Sequence, residues 1–226
     1  MRERLTIIVA LTCCVVLSGC AIQQTNGNSS TSVNTNFPVN TNATPVVNSN
    51  TNTVINATPV VKEFISPLDK PAERITKKPF GIYITPTASP VQPERFSGFH
   101  TGVDFEILAG EEDSDVAVTA GCSGTVRDKQ RVSGYGGVLV QDCVLAGENV
   151  TVLYGHLNLD SITISVGDTL HQGDLIGNLG TGYSTQTDNE RKHLHVSVHK
   201  GTGVNYKGYV SLESALEDWI DPQEYF

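Results

Sequence analysis

"RKHLHVSVHK", residues 191–200, places His193, His195 and His199, three of the six histidines of the 226-residue chain, on one short run. Strand side chains alternate with a period of two, so an extended reading puts His193, His195, Ser197 and His199 on one face. Leu194, Val196 and Val198 fall on the other. The apolar face calls for a core behind it, and the face of imidazoles calls for partners elsewhere in the chain.

Runs of the same texture recur upstream: "VAVTA", "GTVRD", "GVLVQ", "VTVLYGHL" and "ITISVGDTL", separated by Gly, Asp, Asn and Pro. This spacing predicts an all-β domain of antiparallel sheets and hairpins, spanning 62–226, a length ample for one core. The single helical candidate is "SLESALEDW" (211–219), with Ser211 as N-cap, Glu213 in the first turn and Asp221-Pro222 as the stop. It is expected to form a short C-terminal helix.

The formal charge of −9 argues against a nucleic-acid partner. Residues 1–19, "MRERLTIIVALTCCVVLSG", carry Arg2 and Arg4 ahead of an apolar run, the pattern of a secretory signal. The run closes on "LSGC" (17–20), which resembles a bacterial lipobox, so Cys20 is the expected lipidation site. The mature protein would then be exported to the bacterial cell envelope and anchored to a membrane. Residues 21–61 contain no charged side chain, consist largely of Asn, Thr, Ser, Val and Pro, and repeat "NATPVV" at 42–47 and 56–61. Such a segment cannot offset its own ordering entropy, so 20–61 reads as a lipidated cysteine followed by a disordered tether. A tether of roughly 40 residues has an r.m.s. reach of about 35 Å. Removing the signal takes Cys13 and Cys14 with it, and lipid consumes Cys20. Cys122 and Cys143 remain as a possible disulfide across a hairpin turning at "SGYGG".

Further metal-ligating side chains lie in "GFHTGVD", which holds His100 and Asp104. On a straight strand their Cα atoms would stand roughly 13 Å apart, too far for one ion, so the chain must bend between them, and Gly102 permits it. Glu106 falls on the same face as Asp104 and is the alternative carboxylate. The two imidazoles of His193-Leu194-His195 can converge on an ion or its water. Histidine and carboxylate ligands with one open position are what zinc-assisted hydrolysis requires.

Taken in order, "FHTGVDF", "YGHL" and "KHLH" resemble the motifs of the lysostaphin-like (LytM-type) zinc endopeptidases of bacterial peptidoglycan. The connecting runs "CSGTV", "GYGGVLV", "ISVGDTLHQGDLIGNLGTG" and "DPQEYF" extend the resemblance over about 78–226. The resemblance implies an open cleft with one Zn2+ held by His100, Asp104 and His195, with His156 and His193 as unliganded catalytic histidines and peptidoglycan peptide as substrate. His199 and His171 match no motif and are expected at the surface or in structural roles, and Tyr154 in the core or the groove wall. The sequence departs from the family at Tyr83, where a basic residue is common, at Lys192 before His193, and at Ser197, where Glu is common. The segment "TGYSTQTDNERKHLH" and the acidic turn "EILAGEEDSDVAV" are longer than usual. A rival expectation is a non-catalytic LytM-type domain that regulates cell-wall amidases; such members typically lack zinc ligands, whereas all five key positions are present here.

Overall fold

The computed structural model describes residues 62–226. The signal sequence (1–19), Cys20 and the tether (20–61) lie outside the described residues. Among the described residues, no helix is long and apolar enough to cross a membrane.

Twelve strands follow in chain order: β1 (Tyr83–Ile84), β2 (Gly98–His100), β3 (Val103–Glu106), β4 (Ala117–Thr119), β5 (Gly124–Val132), β6 (Gly136–Leu145), β7 (Glu148–Leu157), β8 (Thr169–Leu170), β9 (Leu175–Asn178), β10 (His193–Lys200), β11 (Tyr209–Val210) and β12 (Trp219–Ile220). Every pairing is antiparallel. The principal sheet runs β12-β10-β7-β6-β5-β8, and β3 shares with β12 the edge of β10 that faces away from β7. β10, formed by His193–Lys200, is therefore paired on both of its edges. Leu194, Val196 and Val198 join Val103, Phe105, Val152, Tyr154 and Leu157 in the main core. Burying each such aliphatic side chain stabilises the fold by about 1.5–3 kcal/mol.

The hairpin expected around Ser133 is formed by β5 and β6. A second hairpin joins β6 to β7 through Ala146 and Gly147, both at positive φ (51° and 80°), as a two-residue turn between twisted strands requires. Cys122 and Cys143 are joined by a disulfide with a Cα–Cα separation of 6.1 Å. The bridge closes a loop of sequence separation 21, worth roughly 3 kcal/mol in the chain-entropy account. Replacing both cysteines with serine is expected to lower the unfolding free energy by about that amount in urea melts of the oxidised protein.

The C-terminal segment corrects the helical expectation for 211–219. It is a 3-10 run over Glu213–Asp218, and Leu212, not Ser211, occupies the N-cap with no side-chain cap bond. The physical reason is tertiary. Val210 is held against Phe99 of β2, and Trp219 and Ile220 against His199 and Val198 of β10. The short stretch between two pinned strands is too brief for a stable α-helix. The only α-helical turn among the described residues is Pro71–Arg74.

Candidate metal centre

β2 ends at His100 and β3 begins at Val103, so the chain turns at Thr101 and Gly102 as the i, i+4 spacing of His100 and Asp104 demands. Gly102 has a second role. A Cβ there would collide with the Val196 carbonyl oxygen and come within 2.9 Å of the His195 ring. Its absence lets the bend press against β10.

Register places Asp104, His195 and Gly155 in one row across β3, β10 and β7, with Glu106 opposite His193 in the next. The His195 Nδ1 atom lies 3.0 Å from His100 Nε2 and 3.1 Å from Asp104 Oδ1. His100 Nε2 lies 3.4 Å from the same carboxylate oxygen. The three residues form a group of potential metal ligands, all buried. Ligand atoms at tetrahedral angles about 2.0–2.1 Å from one zinc ion are about 3.3 Å apart, so these separations suit a shared ion.

The surroundings orient each ring. His100 Nδ1 donates to the Pro79 carbonyl at 3.2 Å, which leaves its Nε2 lone pair facing the other two ligand atoms. The adjoining Lys78 carbonyl accepts from the Asp104 backbone N–H at 3.0 Å. His195 presents Nδ1 inward, and its Nε2 lies 3.3 Å from the Tyr135 hydroxyl. Burial raises the Tyr135 pKa, so the phenol stays protonated and can accept an Nε2–H. Gly155 makes room for it, since a Cβ there would come within 2.5 Å of the Tyr135 ring. Tyr209 stacks on His100 with centroids 5.1 Å apart. Its neighbour Lys78 is buried in a 2.6 Å ion pair with Glu94.

His193 and His156 lie beside this group with ring centroids 4.1 Å apart. His193 Nδ1 donates to the Arg191 carbonyl at 2.8 Å, which leaves Nε2 as the proton-accepting atom, 3.4 Å from Asp104 Oδ2. His156 reaches this face through a β-bulge. Gly137 pairs with Leu157 and Val138 with Gly155, so His156 is the extra residue, at φ 63°. Strict alternation from Tyr154 would have buried it in the core; the bulge gives that place to Leu157 and turns the imidazole outward. This left-handed conformation costs a residue with a Cβ about 1–2 kcal/mol.

Burial lowers the His156 pKa to about 3. Burial and then the Arg191 charge push His193 well below the ordinary imidazole value, and burial also lowers His195. For Asp104 burial acts upward, but the imidazoles of His193, His100 and His195 outweigh it and hold the carboxyl well below its usual range. The site thus presents an ionised carboxylate and three neutral imidazoles at neutral pH. A pocket of about 310 Å³ lies against this face, lined by Asp104, His156, His193, His195 and Tyr135 among others.

Glu106, His171, His199, Tyr154, Tyr83 and Lys192 fall outside the group. Both Glu106 oxygens are taken by Arg191, at 2.5–3.1 Å, and one also by Lys77 at 3.1 Å, whereas Asp104 Oδ1 faces His100 and His195. The side chain of His171 is exposed and 3.3 Å from Asp174. His199 packs edge-on against Trp219, and Tyr154 is a core residue whose hydroxyl accepts from the Gly121 N–H. The Tyr83 ring packs at a tilt against Phe99 and is not among the residues lining the pocket. Lys192 turns away and donates to the carbonyls of Glu111, Glu112 and Ser114, which ties the long approach to the long acidic turn. Arg191, Tyr135 and Tyr209 border the group without any signal in the sequence pattern. Each enters from a loop or strand end, where no periodicity marks it.

The profile of peptidase family M23 matches residues 98–207, the stretch that contains all five of these histidine and aspartate positions. The chain carries a peptidase family M23 domain. An endolysin of Staphylococcus phage 2638A is 33% identical over 124 residues, covering 54% of this chain and 24% of the endolysin. The chain thus spans about a quarter of the length of that curated relative. Among solved structures, the M23 domain's chain is similar to lysostaphin from Staphylococcus simulans (22% identity, 74% of this chain and 53% of that one, TM-score 0.43). It is also similar to a zinc containing peptidase from Vibrio cholerae (21% identity, 60% and 36%, TM-score 0.42).

Proposed function

We propose that the protein is a zinc-dependent endopeptidase that hydrolyses peptide cross-links of bacterial peptidoglycan, anchored to a membrane through lipid on Cys20. The tether would then carry the 62–226 domain into the adjoining wall. The observation that carries the enzymatic reading is the convergence of His100 Nε2, Asp104 Oδ1 and His195 Nδ1 beside two neutral imidazoles that hold no place in that triangle.

His100, Asp104 and His195 would hold the ion. Zinc held there would supply Lewis-acid polarisation of a scissile carbonyl and would lower the pKa of a water molecule. The remaining chemistry belongs to the chain. His193 Nε2, with its partner nitrogen committed to the Arg191 carbonyl, takes the proton of the attacking water and returns it to the leaving amine. His156, its ring centroid 4.1 Å from that of His193 and lining the same pocket, stabilises the oxygen on which charge develops. Tyr135 keeps His195 in the tautomer that presents Nδ1 inward.

A non-catalytic regulator of amidases and a hydrolase part company in one experiment. Purified peptidoglycan sacculi incubated with this protein alone, and no amidase, are expected to release soluble fragments. Release that begins only when an amidase is added contradicts the proposal.

A further inference from the structure

Arg191 is the first residue of the stretch "RKHLHVSVHK" and is only 8% exposed. Its Nη2 atom alone touches two carboxylates, Asp104 Oδ2 at 2.9 Å and Glu106 Oε1 at 2.5 Å. Its Nε lies 3.1 Å from each Glu106 oxygen. Asp104 is thereby held by Oδ2 while Oδ1 faces His100 and His195. Glu106, two residues along the same strand face and in register with His193, is held by both oxygens.

Two buried carboxylates this close would compete for one divalent cation. Glu106 would be a fourth protein ligand, and a fourth protein ligand makes a closed, structural zinc site instead of an open, catalytic one. We propose that Arg191 is a positioning residue that selects the carboxylate: it presents one oxygen of Asp104 to the metal and withholds Glu106, so that a coordination position stays open for substrate. This rests on the assignment of His100, Asp104 and His195 as zinc ligands. The guanidinium is suited to the task because its planar fork engages one carboxylate with two N–H groups while reaching a second. Lys77, the other cation on Glu106, is about half exposed and contributes a single contact at 3.1 Å, too little to hold the group alone.

The test uses Co2+ in place of zinc in the full-length protein, because the position and shape of its visible absorption, and their response to an added anion, report which ligands hold the ion and whether a position is open. Arg191→Met is expected to keep one equivalent of metal, with affinity equal to or higher than that of the unaltered protein. Its visible absorption should shift as a carboxylate takes the place of bound water and should no longer respond to added azide, and peptide hydrolysis should fall by at least 10-fold. Adding Glu106→Gln to that variant should restore both the spectrum and most of the rate. Arg191→Lys covers the case in which Arg191→Met does not fold: one ammonium cannot fork across both carboxylates, so the spectrum should change in the same direction and recover with Glu106→Gln. Loss of metal in folded Arg191→Met, an unchanged spectrum in Arg191→Met or Arg191→Lys, or a spectrum that Glu106→Gln does not restore overturns the proposal. The metal and spectral readouts stand apart from hydrolysis. If they behave as expected while no form cleaves peptide, the endopeptidase reading fails and the role of Arg191 survives.

Discussion

His193→Ala and His156→Ala are expected to retain one zinc per chain and a folded domain while hydrolysis falls by roughly 10²–10⁴-fold. His195→Ala, His100→Ala and Asp104→Ala are expected to lose the metal and all activity together. The split follows from geometry. His195 presents Nδ1 to His100 and Asp104 at 3.0 and 3.1 Å, whereas His193 faces Asp104 Oδ2, the oxygen that Arg191 holds, at 3.4 Å. A three-ligand site has no protein donor to spare, so losing one opens it to water and the ion dissociates. The two imidazoles beside it act on protons and can be removed without that consequence. Metal analysis after dialysis, paired with rates on peptidoglycan, separates the groups. If His193→Ala sheds zinc while His195→Ala keeps it, the two roles are reversed.

Acid is expected to remove metal, fold and activity in one transition beginning below about pH 6.5. The folded protein keeps His156 neutral down to about pH 3 by burial, and also disfavours protonation of His193 and His195. An unfolded chain takes up those protons near pH 6.5. A pKa lowered by folding contributes stability that is complete above the unfolded value and is lost as pH falls from that value toward the folded one. For His156 alone the loss between pH 6.5 and pH 5 is roughly 2 kcal/mol. Asp104 adds to the loss below about pH 4, because its folded pKa also lies below the unfolded one. Zinc competes with protons for His100 and His195, so saturating metal should move the transition to lower pH. Zinc content, near-ultraviolet circular dichroism and hydrolysis followed across pH 8 to 4 check this. Full stability of the zinc-free protein at pH 5 contradicts the assignment of three buried neutral histidines.

Much of this centre is legible in ten residues, because a strand with period two states which side chains share a face. His193 and His195 emerge on the site side and Leu194, Val196 and Val198 in the core, as the alternation requires. The bend between His100 and Asp104 was likewise forced by reach. His156 marks the limit of such reasoning: Tyr154 and Leu157 are both core residues, and only a bulge, which has no signature in "YGHL", places the intervening imidazole on the opposite side. Nothing in the sequence marks Arg191, because a charged residue beside a strand start is ordinarily solvated. Its importance comes from register, which sets Glu106 opposite His193 and leaves two carboxylates that need one cation. At 211–219 local helix propensity lost to strand pairing on both sides.

The most direct measurement is mass analysis of muropeptides after purified peptidoglycan is digested by the protein, first stripped of metal and then titrated with zinc. The expected result is new amino and carboxyl termini within the peptide cross-links, absent from the metal-free digest and reaching full yield at one zinc per chain. Muropeptides left intact at every zinc concentration, or cut equally well by the stripped protein, would contradict the assignment.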